Sequence, residues 1–97
     1  MARLLYGSPP VSFEFDTRTL AHVEVVVMAK LRRNENFAFS VEQSGDSRTT
    51  IWVNVSSDLQ FIYDEPRPEI NREWLGRLVD SANSTSGLRV MPEHETA

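Results

Sequence analysis

The sequence predicts a single α+β domain in the order ββαβββαβ, a mainly antiparallel sheet with two helices packed on one face. Three observations predict it. Short segments alternate apolar and polar residues with period two, two longer segments carry apolar residues at helical spacing, and the order of the two types gives no repeating βα unit. With 97 residues, 40% of them hydrophobic, the chain suffices for one ordinary domain and not for two. Residues 1–91 form that domain and 92–97 a flexible tail.

Val11, Phe13 and Phe15 alternate with Ser12 and Glu14, the pattern of a half-buried strand. The turn Gly7-Ser8-Pro9-Pro10 precedes it, so Arg3 to Tyr6 is its hairpin partner. Asp16 is placed to cap a helix running to about Arg33, with Leu20, Val23, Val27 and Leu31 on one stripe. The β-branched run Val23 to Val27 also suits a strand. A length of about seventeen residues is too great for a typical strand, however, and Lys30, Arg32 and Arg33 stand where a helix C-terminus favours positive charge.

Three further strands are expected. Phe37, Phe39 and Val41 share one face, as do Ile51, Val53 and Val55, and then Leu59, Phe61 and Tyr63. Matching apolar to apolar with three-residue loops pairs Val41 with Ile51 and Phe39 with Val53, then Val53 with Phe61. The result is a three-stranded meander. The segment Asp64-Glu65-Pro66-Arg67-Pro68-Glu69 reads as an exposed connection. A second helix follows from about Asn71 to Ser84, with Ile70, Trp74, Leu75, Leu78, Val79 and Ala82 on its apolar face and Gly87 as a stop. Leu88 to Met91 is a candidate last strand.

Composition excludes several classes of function. The chain has no cysteine, which removes disulfide staples, thiolate nucleophiles and Cys-based zinc sites and favours a cytoplasmic address. The apolar run at the N-terminus is too short for a signal-peptide core or a membrane span. No cofactor is implied. His22, early in the first helix, and His94, in the tail, form no metal-ligand pair, and each reads as structural or solvent-facing. No G-x-S-x-G elbow, P-loop or dinucleotide fingerprint is present, so no catalytic, cofactor or metal residue is assigned. Convergence in space of Arg48, Arg67, Arg72 and Arg77 is the remaining route to an unrecognised enzyme site.

The net charge of −4 argues against broad nucleic-acid binding. Its distribution is uneven: residues 1–33 carry five bases against three acids, and residues 34–97 five against eleven. Two surface features follow. In the meander register Trp52 lies opposite Ser40 and Ile62 on the face the core does not use, an aromatic anchor with a polar rim, as association sites are often composed. Lys30, Arg32 and Arg33 complement the helix dipole and are also candidate contacts to nucleic-acid phosphate. The expected function is that of a small non-catalytic interaction or assembly module, with a second copy or another protein as partner. The alternative is an accessory nucleic-acid-associated protein linked to DNA processing.

The stretches Asp16-Thr17-Arg18-Thr19-Leu20-Ala21-His22, Ala29-Lys30-Leu31-Arg32-Arg33, Arg48-Thr49-Thr50-Ile51-Trp52-Val53 and Ala82-Asn83-Ser84-Thr85-Ser86-Gly87-Leu88 resemble a group of small actinobacterial proteins of unknown function. The resemblance covers about residues 2 to 91. Many members carry an automatic label of ATP-dependent DNA ligase. Ligases adenylate a lysine within K-x-D-G, whereas the only lysine here lies in Lys30-Leu31-Arg32-Arg33. The resemblance therefore implies no catalytic residue for this chain. Incubation with labelled ATP is expected to leave no covalent adenylate on the protein, checked by autoradiography after denaturing electrophoresis.

Overall fold

The computed structural model describes residues 1–42 and 45–93. The predicted element order is found: β1 (Ala2–Tyr6), β2 (Val11–Phe15), α1 (Thr17–Arg32), β3 (Phe37–Glu42), β4 (Arg48–Val53), β5 (Leu59–Tyr63), α2 (Arg72–Ala82) and β6 (Leu88–Arg89). The strands form two sheets, in the orders β2-β1-β5 and β4-β3-β6, antiparallel except where β6 runs parallel to β3.

The expected β4–β5 pairing does not occur. β5 instead pairs with β1, setting Tyr63, Phe61 and Leu59 opposite Ala2, Leu4 and Tyr6. Because side chains alternate with period two, β5 offers the same apolar face to either neighbour, and matching faces cannot choose between them. The choice is made at residues 54–57. The Asn54 carboxamide accepts from the Ser56 N–H at 2.8 Å, and the Ser57 hydroxyl accepts from the Asn54 N–H at 2.9 Å. That self-bonded turn satisfies the backbone locally and sends the chain across to β1, where Gly7 donates to the Asp58 carbonyl at 3.0 Å.

The β3–β4 register is shifted by two residues from the predicted one: Phe37 faces Val53, Phe39 faces Ile51 and Val41 faces Thr49. A shift of two preserves the buried face. It also places Glu42 opposite Arg48 and Ser40 opposite Thr50, whose hydroxyls are 3.0 Å apart. Cross-strand charge and hydroxyl pairs stabilise a register that apolar matching alone leaves free.

Both helices begin as predicted. Asp16 accepts from the Thr19 N–H at 2.6 Å, and Asn71 accepts from the N–H groups of Glu73 and Trp74 at 3.1 and 3.2 Å, each cap being worth about 1 kcal/mol. At the end of α1, Asn34 adopts a left-handed φ of 57°. The Asn34 and Glu35 N–H groups then return to the carbonyls of Leu31 and Lys30, which satisfies the helix end in the manner of a Schellman motif. This reversal folds Glu35 back over the basic end of the helix.

The two sheets and two helices enclose one core containing Leu4, Leu20, Val23, Val27, Phe39, Leu78 and Leu88. The rings of Phe15 and Phe39 stack at 6.4 Å, joining one sheet to the other. α1 lies against β1 and β5, and α2 lies against β3 and β6. No helix among the described residues is long and apolar enough to cross a membrane.

Gly87, at φ +82°, lies so close to β3 that an added Cβ would sit 2.5 Å from the Ala38 carbonyl oxygen. Gly76, in α2, has open space around it. Gly87→Ala is expected to cost about 1–3 kcal/mol and Gly76→Ala to add about 0.5–1 kcal/mol of stability, both measured by urea denaturation.

Candidate interaction surface

Trp52 extends from the outer face of β4, opposite the small Ala38 of β3, and is 55% exposed. The close approach of Gly87 to Ala38 brings the 83–87 turn alongside. Between them runs a groove of about 250 Å³ whose lining includes Trp52, Lys30, Asn36, Asn83, Ser84 and Thr85. The structure thus unites two features that lie far apart in the sequence, the exposed tryptophan and the basic end of α1.

The predicted meander sets Ser40 and Ile62 against Trp52; in the structure Trp52 faces Ala38 instead. Ser40 is buried and faces Thr50, while Ile62 belongs to the other sheet and faces Arg3. The error follows from the register shift and from the departure of β5 to β1.

Lys30, Arg32 and Arg33 occupy different environments. Lys30 is only 8% exposed. Its ammonium donates to the Asn83 carboxamide oxygen at 2.9 Å, pairs with Glu35 at 3.2 Å and lies 5.9 Å from the centroid of the Phe37 ring, so it ties α1 to the end of α2. Arg33 reaches the same Glu35 oxygen at 3.5 Å and is largely exposed, as is Arg32. The three bases fan out, as 100° per residue requires, but Glu35 draws two of them together. Sequence reasoning missed Glu35, Asn36 and Asn83. The polar run 83–86 read only as a helix stop.

A second cluster has the side chains of a reaction centre without the freedom of one. His22 is fully buried. Its Nδ1 meets the Arg18 carbonyl at 2.7 Å and its Nε2 accepts from the Asn71 N–H at 2.8 Å, so both ring nitrogens are committed to backbone and the hydrogen belongs on Nδ1. The ring lies 4.5 Å from that of Trp74. Beside it, Arg18 binds Glu93 through two nitrogens at 2.7 Å each, and the Asn71 amide adds a third bond at 2.7 Å. Trp74 Nε1 donates to the Met91 carbonyl at 2.9 Å. Residues 92 and 93, assigned to the tail from sequence, are thereby fastened to the domain, while 94–97, including His94, lie outside the described residues.

A cleft of about 320 Å³ is lined by Glu24, Phe61, Tyr63, Glu65 and Arg67, among others. Tyr63 donates to Glu24 at 2.7 Å. Burial, reinforced by that bond, pushes the phenol above its ordinary value, so Tyr63 stays a donor and not a base. The four arginines have different surroundings: Arg48 faces Glu42 near the β3–β4 connection, Arg67 lines this cleft, Arg72 opens α2, and Arg77 pairs with Glu73 on the same helix at 3.0 Å. Among the described residues, no group of three or more His, Asp or Glu is arranged to hold a metal ion.

The architecture and groove define a small α+β domain that carries an exposed aromatic side chain in a polar surround. A family model for DUF7882, a domain of unknown function, matches residues 1–93, and the chain belongs to that family. No curated protein and no solved structure matches it.

The Glu93 carboxyl is held down at about 2 by the Arg18 guanidinium and then by the Asn71 amide, against an ordinary value of 4.5. A depressed carboxyl contributes stability that is complete above pH 4.5 and disappears as pH falls through about 2. Glu93→Gln is therefore expected to lower stability at pH 7 and to flatten the acid-unfolding curve between pH 4.5 and 2, followed by tryptophan emission.

Proposed function

We propose that this protein is a non-catalytic interaction module that uses the groove beside Trp52. One observation carries the reading: an indole more than half exposed beside a groove lined by a lysine, two asparagines, a serine and a threonine. Exposing a tryptophan in water is costly by comparison with burying it, and tryptophans bounded by polar rims are frequent energetic centres of protein interfaces. The other tryptophan, Trp74, is buried and hydrogen-bonded, so the two have separate roles.

A second reading, an accessory nucleic-acid-associated protein linked to DNA processing but without ligase activity of its own, draws on the exposed Arg32 and Arg33 at the same corner. It requires oligonucleotide binding that weakens steeply with salt. Trp52→Ala is expected to leave the thermal melt nearly unchanged while altering self-association in sedimentation velocity or the set of proteins recovered by co-purification. If neither changes, the interaction reading is lost.

A further inference from the structure

We infer that the groove takes an acidic, extended segment of a partner protein, a carboxylate engaging the Lys30–Arg33 corner and an apolar side chain lying on Trp52. This rests on the groove being the working surface.

Three observations point to that occupant. The first is charge. The corner where α1 meets β3 carries Lys30, Arg32 and Arg33 against Glu35, on a chain whose net charge is −4, and such local contrast steers an acidic segment to one place. The second is a carboxylate seat already in use. Lys30 and Arg33 converge on a single oxygen of Glu35 at 3.2 and 3.5 Å, and the Glu35 side chain is 42% exposed. An incoming carboxylate can share or displace it without opening the core.

The third is size and lining. A groove of about 250 Å³ admits one or two side chains, and Asn36 and Thr85 in its lining suit the donors and acceptors of a peptide backbone, the Asn83 oxygen and the Ser84 hydroxyl being already bonded to Lys30 and to the Ser81 carbonyl. A nucleic-acid strand finds less here. Its affinity comes from neutralising many phosphates in succession, whereas this corner offers three bases, one of them only 8% exposed, enough for a single carboxylate.

The test uses fluorescence anisotropy with three labelled probes: the hexapeptide Glu-Glu-Leu-Leu-Glu-Glu, its all-glutamine counterpart and a six-nucleotide oligothymidylate. The acidic peptide is expected to bind, more weakly as salt rises, and the glutamine peptide about tenfold less well. Trp52→Ala and the double variant Arg32→Glu/Arg33→Glu are each expected to weaken binding about tenfold. Glu35→Gln, which removes the internal competitor, is expected to strengthen it severalfold, whereas a purely structural Glu35 would give no gain. Lys30 is left intact because it joins the two helices, and thermal melts verify that each variant folds.

Equal binding of the glutamine peptide, preference for oligothymidylate, no gain from Glu35→Gln, or no binding of the acidic peptide overturns the inference. If the acidic peptide fails while Trp52→Ala still alters sedimentation or co-purification, the interaction reading stands and only the acidic partner is lost. If Trp52→Ala changes nothing in any of these measurements, both fall.

Discussion

The hydrogen bonds of His22 hold together parts of the chain that no regular secondary structure joins. One ring nitrogen closes on the Arg18 carbonyl within α1, and the other receives the Asn71 N–H at the start of α2. A buried backbone N–H left without a partner costs about 1–3 kcal/mol, so the two helices are held in one relation. Trp74 covers the imidazole and fixes Met91. Asn71 binds Glu93, and Arg18 binds the same carboxylate. Helix crossing, helix start and the last described residues thus meet around a single buried ring.

That constraint has consequences at the opposite end of the helices. With α2 fixed against α1, Asn83 at the end of α2 meets Lys30 at the end of α1. The turn that follows is pressed onto Ala38, where only glycine fits. Trp52, across the β3–β4 pair from Ala38, then borders a polar groove where it would otherwise stand on bare sheet. The one lysine in the chain bonds Asn83 and Glu35 at this junction.

Much of the fold was legible because local chemistry and global packing agree there. Asp16 is a good cap before a periodic apolar run and Asn71 marks the start of another, and both cap helices in the structure. The alternation of Phe37, Phe39 and Val41 identified their buried face correctly even though the register was off by two. The candidate site was legible only in part. Trp52 stood out as an aromatic on the wrong face for the core, and Lys30, Arg32 and Arg33 as a cluster of charge. Glu35, Asn36 and Asn83 did not, because a polar residue beside a turn has many uses and acquires a particular one only from its neighbours.

What the sequence determined by itself is what periodicity and capping encode: the number, type and order of the elements, the buried face of each apart from Val11 and Val55, which stand exposed at or just past strand ends, and the absence of thiol chemistry. The partner of β5 and the meeting of Trp52 with Lys30 were decided by the tertiary structure. A strand's apolar face is equally satisfied by any neighbour of matching alternation, so its partner depends on the turn at Asn54–Ser57 and on the free edge of β1. Two side chains 22 residues apart share a groove only because His22 sets the helices and Gly87 lets the following turn approach the sheet.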